Sequence, residues 1–531
     1  MEDFESLGFK YEARPPSGPF LQRGNDASRT PDLRSPAHHL PVPPRSQAFA
    51  LSCKSSRSLH DSLQTLVGHL SRLTLVQGVG FLWHFPFYEF ETSPTLDSWD
   101  RFRQHYSHRV FEFKIEPLWV SLNALIAVIA VTRPSDEHPI FPNIRVIHWN
   151  STTQCFDAAR MFMHETLEEC SFRGRCPLNF VEMIPTKVPF LRRLDLSEFV
   201  VSELVDVQAI TTTIQQLPHL TSLHLPALAD ISGILVAAGA MEKLEHLCIA
   251  SIGRGRAFSP LPSPSCLPSW FPSLSSLTIV TVYQVVTTLL SLQPLDSIRT
   301  INVRSVSQES PAEHHRLFDA ISRACPFIEC VRVKCKTEIH RPPFQRVSFG
   351  DIQPLLHCRA IRDLSIVHAY ALDLSEADVE RLASQWRFLE KISLSPQMVP
   401  GLFSRHSDPE GQLGTHLGLR AVVPFIRYCP DIKEIGLFLV VKPIDSGVVD
   451  HSAELNSLSQ CMPFRKLQSL DLGSSRLENR VAPQEVASFI NQLLCLGGRL
   501  FYDKVVAHKL KPQGIGATPS DNNGTSILQQ L

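Results

Sequence analysis

The chain has 531 residues, 43% of them hydrophobic and 19% charged, and its 51 lysines and arginines against 52 aspartates and glutamates leave a formal charge of -1. A chain so composed can bury substantial apolar surface, which excludes wholesale disorder. The absence of net charge offers no field for steering toward DNA, RNA or anionic lipid, so neither nucleic acid nor membrane is an expected partner.

Residues 1–46 are rich in Pro, Ser and Arg, with Pro15-Pro16, Pro41 and Pro43-Pro44 among few apolar side chains. Such a composition does not offset the entropy of ordering, and a disordered arm is expected. The start, Met1-Glu2-Asp3-Phe4-Glu5, lacks the basic region and apolar core of a secretory signal. The apolar run from Val120 to Val131 is too short to span a bilayer and is interrupted by Ser121 and Asn123. A cytoplasmic or nuclear protein is expected. Thirteen cysteines, with no Cys-x-x-Cys pair, indicate reduced and mostly buried thiols, not a disulfide framework or a zinc knuckle.

From residue 141 a repeat of the form apolar-x-x-apolar-x-apolar begins. It reads Ile144-Ile147-Trp149, Leu167-Cys170-Phe172, Leu191-Leu194-Leu196, Leu220-Leu223-Leu225, Leu244-Leu247-Ile249 and Leu274-Leu277-Ile279. It continues as Ile298-Ile301-Val303, Ile328-Val331-Val333, Ile361-Leu364-Ile366, Leu389-Ile392-Leu394, Ile432-Ile435-Leu437 and Leu467-Leu470-Leu472. The copies recur at intervals of roughly 23 to 43 residues, enough for one strand and one return helix per unit of a leucine-rich repeat.

Between the strands, Val205 to Leu217, His314 to Cys325, Glu376 to Trp386 and Gly418 to Cys429 place apolar residues at three- and four-residue steps, as return helices do. Ser375, three residues before Asp378, is positioned to cap one of them. Prolines at 142, 189, 218, 272, 326 and 430 precede strands, where a proline ends the helix and holds its predecessor extended. The predicted fold is α/β, a leucine-rich-repeat solenoid (horseshoe) of parallel strands and return helices over 141–500. It is flanked by the N-terminal arm and by a disordered tail over 501–531 that contains Gly514, Gly516, Pro519 and Gly524.

The openings Phe141-Pro142-Asn143-Ile144-Arg145, Cys325-Pro326-Phe327-Ile328 and Cys429-Pro430-Asp431-Ile432 are similar to those of the F-box and leucine-rich-repeat proteins numerous in mushroom-forming fungi. Trp99-Asp100-Arg101-Phe102, Tyr106 and Arg109-Val110 resemble that family's segment bridging F-box to solenoid, here 99–140. Leu51-Ser52-Cys53-Lys54 and the stretch from Leu66 to Leu73 resemble the back of its F-box, a helical region placed at 47–98. Val67 stands where the family has Trp, and the family's Leu-Pro start is replaced by the proline-rich arm. The resemblance implies docking on a Skp-type adaptor of a cullin ubiquitin ligase, through Leu63, Leu66, Leu70 and Leu73, while the solenoid holds the protein to be ubiquitinated. The alternative is a scaffold or decoy that has lost adaptor binding.

Side chains flanking the second and third apolar positions of each copy point to the concave face, because side chains alternate across a strand. The middle position runs His148, Ser171, Asp195, His224, Cys248, Thr278, Asn302, Arg332, Ser365, Ser393, Gly436 and Asp471. Of these, His148, Asp195, His224, Asn302, Arg332, Ser365 and Asp471 are the candidate partner-binding residues, since polar and charged groups suit hydrogen bonding to a polypeptide. Two long loops, Ser251 to Trp270 and Ser395 to His416, read equally as functional segments or tolerated insertions.

Catalytic patterns are missing from the sequence. His164-Glu165 lacks a second histidine, Gly78-Val79-Gly80 lacks the rest of a phosphate loop, and there is no Gly-x-Ser-x-Gly elbow. Cys325, Cys330 and Cys335 fall on different faces of a helix end and a strand, which does not make a metal site. No catalytic residue, metal or cofactor is predicted, and the expected function is non-catalytic protein binding.

Overall fold

The structure, a computed structural model, describes residues 73–76, 87–90, 96–105, 107–115, 139–150, 156–174, 177–199, 204–226, 228, 232–249, 270–335, 346–368, 371–394, 417–441, 466–472, 475–477 and 499–501. The expected arm over 1–46, nearly all of the tail, Leu63, Leu66 and Leu70, and both long loops except Trp270 lie outside the described residues.

Strand β1 (Leu73–Val76) pairs antiparallel with β2 (Phe87–Phe90), Leu73 facing Phe90. Helix α1 (Leu96–His105) and strand β3 (Glu112–Ile115) follow. From here strands and helices alternate: β4 (Val146–Asn150), α2 (Phe156–Ala159), β5 (Glu169–Arg173), α3 (Leu178–Lys187), β6 (Arg193–Asp195) and α4 (Leu204–Gln215). Next come β7 (Ser222–Leu225), α5 (Ser232–Gly239), β8 (His246–Ile249), β9 (Ser276–Val280), α6 (Tyr283–Ser291), β10 (Thr300–Arg304) and α7 (Pro311–Ala324). The last units are β11 (Cys330–Lys334), α8 (Phe349–Ile352), β12 (Asp363–Val367), α9 (Glu376–Gln385), β13 (Lys391–Leu394), α10 (Val423–Tyr428), β14 (Glu434–Leu437), β15 (Val440–Val441), β16 (Ser469–Asp471), β17 (Arg476–Leu477) and β18 (Arg499–Phe501).

Fourteen strands form one open sheet in chain order, from β3 at one edge through β14 and β16 to β18 at the other, while β15 pairs separately with β17. Every pairing in the large sheet is parallel. The register aligns the second apolar position of each copy into one row: Phe113 faces Ile147, which faces Cys170, and so on through Val331 and Leu364 to Leu470 and Leu500. This is an α/β repeat solenoid of parallel strands with helices between them.

The local chemistry explains the regularity. All three apolar side chains of each of the twelve predicted copies are buried, and they form one core with the inner faces of the helices, including Leu317, Ile321, Val379, Leu382 and Phe425. Each such leucine or isoleucine contributes about 1.5–3 kcal/mol of transfer free energy. No copy could bury its own row alone, so neighbours stabilise one another. The helices are capped as the sequence demands. Ser375 accepts from the Asp378 amide and Asp378 accepts from the Ser375 amide, with the same reciprocal box at Ser310 and Glu313. Where a helix ends before a proline, Val188, Cys325 and Cys429 leave the helical region with φ of -133, -129 and -119°, as the pre-proline clash requires.

A second device sets the register. The carbonyl of the residue after each first apolar position accepts two amides from the next copy, as Glu168 does from Arg192 and Arg193 and Arg362 does from Glu390 and Lys391. The same carbonyl ladder runs from Phe111 to Lys433.

Three boundaries differ from the sequence expectation. Within 47–98, residues 73–76 and 87–90 are strands, not helix. Leu73-Thr74-Leu75-Val76 and Phe87-Tyr88-Glu89-Phe90 are rich in β-branched and aromatic residues, which suit a pleated pair. The bridging segment 99–140 already contributes β3, because Val110-Phe113-Ile115 is a further copy of the repeat with Phe111 supplying the ladder carbonyl. At the other end β18 crosses the boundary at 500. Among the described residues no helix is long and apolar enough to cross a membrane.

Candidate functional site

The sheet has one face packed on the helices and one that no described element covers. On most strands the residues between the buried ones are half-buried or exposed, as in the pattern of Thr300–Arg304, where only Ile301 and Val303 are buried; Ser171 on β5 and Gly436 on β14 are the exceptions and are buried as well. Three rows of side chains therefore cross this open face: one before the second apolar position, one in the middle, and one after the third.

The structure places all seven candidates of the middle row on this face but gathers them into separate groups. His148 lies on β4, with its Nε2 3.8 Å from Glu112 Oε1 on β3. Asp195 on β6 stands between two neighbours. His224 Nδ1 is 3.8 Å from Asp195 Oδ1, and Ser171 Oγ donates to Asp195 Oδ2 at 3.3 Å. The Ser197 amide also donates to Asp195, at 2.9 Å, fixing that carboxylate at the strand end. Asn302, Arg332 and Ser365 are in register on β10, β11 and β12. Asp471, on β16, is separated from Ser365 by β13 and β14. Leu73 lies in β1, away from a helical setting.

The row before the second apolar position, which alternation also places on this face, contributed no candidates to the sequence reading. It supplies most of the acid–base pairing across strands: Arg193 donates to Glu169 at 3.3 Å, Lys391 to Glu434 at 2.6 Å, and Asp363 accepts from Arg332 at 2.6 Å. The Asp363 hydrogen bond raises the Arg332 pKa further. Beside the strand starts, Glu168 lies 3.2 Å from Arg145 and 4.0 Å from Arg192, and Glu390 accepts from Arg362 and Lys433. These exposed pairs contribute little stability individually. Their effect is to leave this side of the molecule electrically matched.

Chemistry-bearing residues elsewhere have structural partners. His164 is buried, with Nε2 at 2.8 Å from the Phe141 carbonyl, and burial lowers its pKa. Cys325 and Cys335 are fully buried, and burial pushes their thiols up to about 12 and about 11. Among the described residues no group of three or more His, Cys, Asp and Glu could hold a metal ion. A shallow cavity of about 260 Å³ is lined by Arg145, Glu165, Thr166, Leu167, Glu168, Phe190 and Arg192, on the strand-start edge and not on the open face.

No family model and no curated protein matches the chain. Among solved structures it is similar to a protein from Bacteroides fragilis at a TM-score of 0.28 and 12% identity, over 60% of this chain and 70% of that one. A likeness at that level carries no argument about fold or function.

Proposed function

We propose that the chain is a non-catalytic, protein-binding solenoid of the leucine-rich-repeat type, serving as the substrate-recognition subunit of a cullin-type ubiquitin ligase. The observation that supports protein binding is the open face itself: a long, rigid, polar surface whose strands are held in register and over which no described element packs. Ligand-binding residues on a fixed scaffold need no rearrangement to meet an extended partner. The ligase role rests on the sequence resemblance, and it places the protein to be modified on the open face and a Skp-type adaptor at the N-terminal region.

One observation favours a second reading, a scaffold or decoy without adaptor binding. The β1–β2 strand pair occupies part of the region where helices would dock the adaptor. A pull-down of the full chain on a purified Skp-type adaptor with its cullin separates the two. Capture by the full chain, lost when Leu63, Leu66, Leu70 and Leu73 are replaced by Ser, supports the ligase subunit. No capture leaves the scaffold.

A further inference from the structure

We propose that the open face contains an acceptor for an acidic, extended polypeptide segment, centred on Arg304 and Lys334; this deepens the reading of the chain as a protein-binding solenoid and rests on it. The two side chains follow the third apolar positions of β10 and β11 and face each other in register. Both are exposed. Among the described residues neither has an ion pair or a side-chain hydrogen bond, whereas many other charges on this face pair across strands, as at Glu112 and His148, Glu169 and Arg193, Asp195 and His224, and Lys391 and Glu434.

Like charges on directly opposed residues are destabilising in a sheet. Here the cost is retained in the middle of a surface that is otherwise matched, and Arg332, bound to Asp363, stands beside Lys334 on the same strand. The flanking strands put Val280 and Val367 in the same row. The row thus reads apolar, basic, basic, apolar, and spans about 14 Å at the usual strand spacing, the reach of about four extended residues. A segment with adjacent carboxylates between apolar side chains is its complement. A phosphodiester chain is a poorer fit, because the row is short, has no aromatic ring for a base to stack on, and belongs to a chain without net positive charge.

The two bases are also held on a fixed platform. The residues after them, Ser305 and Cys335, are buried, and their amides donate to the Lys334 and Val367 carbonyls at 2.7 and 2.9 Å. Glu309, buried beneath the loop, accepts from the Ser305 and Ser307 hydroxyls and from the Tyr283 amide at 3.1 Å, while its own amide donates to Cys335 Sγ. The backbone that carries the two charges is thus set before binding, and only their long side chains are left to order.

The test uses the full chain and fluorescence anisotropy with a labelled peptide carrying adjacent glutamates between valines. Its glutamine and lysine counterparts and a single-stranded oligonucleotide serve as comparison probes. The glutamate peptide is expected to bind best, more weakly as salt rises, and Arg304→Glu with Lys334→Glu is expected to reduce that binding by about tenfold or more while gaining the lysine peptide. An unchanged thermal midpoint of the double variant shows that the fold is kept. Equal binding of the glutamine peptide, tighter binding of the oligonucleotide, no binding of the glutamate peptide, or an unaffected double variant each overturns the proposal. If the peptide fails while the adaptor pull-down succeeds, only the acidic acceptor falls; if both fail, the ligase-subunit reading falls with it.

Discussion

Arg332 on β11 donates from Nη2 to Asp363 Oδ2 on β12 at 2.6 Å, so the arginine of the middle row is tied to the neighbouring strand by a charge-assisted bond. The Asp363 side chain is 17% exposed and that of Arg332 is 52% exposed. Replacing Asp363 by Asn is expected to cost about 1 kcal/mol or less in urea denaturation, because the pair is half in water. It frees Arg332 beside Lys334 and is expected to strengthen binding of the glutamate peptide about twofold to fivefold. Weaker peptide binding by this variant would contradict the assignment of the basic pair.

Ser310→Ala and Ser375→Ala each remove one half of a reciprocal helix cap. Each is expected to lower stability by about 1 kcal/mol, since an orphan amide at the helix start loses its acceptor. Urea midpoints should fall with an unchanged slope, and unchanged midpoints would show that the caps are incidental.

Burial pushes the Glu309 carboxyl above its ordinary value of 4.5, against the lowering by the Ser305 and Ser307 hydroxyls and the Tyr283 amide. The folded state therefore holds this proton more tightly than the unfolded state. Stability from the protonated form is complete below about pH 4.5 and is lost as pH rises through the folded value. Glu309→Gln removes that loss, so its stability relative to the parent should climb over this range and then level off. Urea melts of both proteins across pH 4 to 8 check the sign, and parallel curves would show that Glu309 does not titrate with folding.

The described cysteines separate by burial. Cys170, Cys325, Cys335, Cys358 and Cys429 are buried thiols, and burial raises each one, to about 12 at Cys429 and about 11 at Cys358. Cys248 and Cys330 are half-buried on the open face, and burial raises their thiols too. Iodoacetamide followed by peptide mass spectrometry should modify these two slowly in the native protein and the buried five only after unfolding. Native labelling of Cys325 or Cys335 would place the core elsewhere.

The fold was legible because burial imposes a period. Ile147, Leu223, Leu364 and their counterparts recur with fixed spacing inside each strand, and all twelve copies found in the sequence lie on strands of the one sheet. The flanking copies escaped notice for physical reasons. Val110-Phe113-Ile115 is embedded among Arg109, Phe111, Glu112 and Lys114, and the last strand, Arg499–Phe501, follows Gly497, which offers no apolar first position.

The candidate surface was legible only in part. Alternation along a strand places His224 and Arg332 on the open face without further information. That Arg304 faces Lys334, or that Asp363 meets Arg332, depends on the register between copies separated by return segments of different length. The platform under the basic pair joins Tyr283, Glu309 and Cys335, residues that no local pattern connects.

The most direct test of the central claim blocks the open face. The full chain, a variant with His224→Trp and Ser365→Trp on that face, and a control with Gln208→Trp and Gln216→Trp on the helical side would each be used to capture proteins under identical conditions. Binding through the open face predicts a set of partners held by the parent and the control and lost from the blocked variant. The same partners retained by the blocked variant would contradict it.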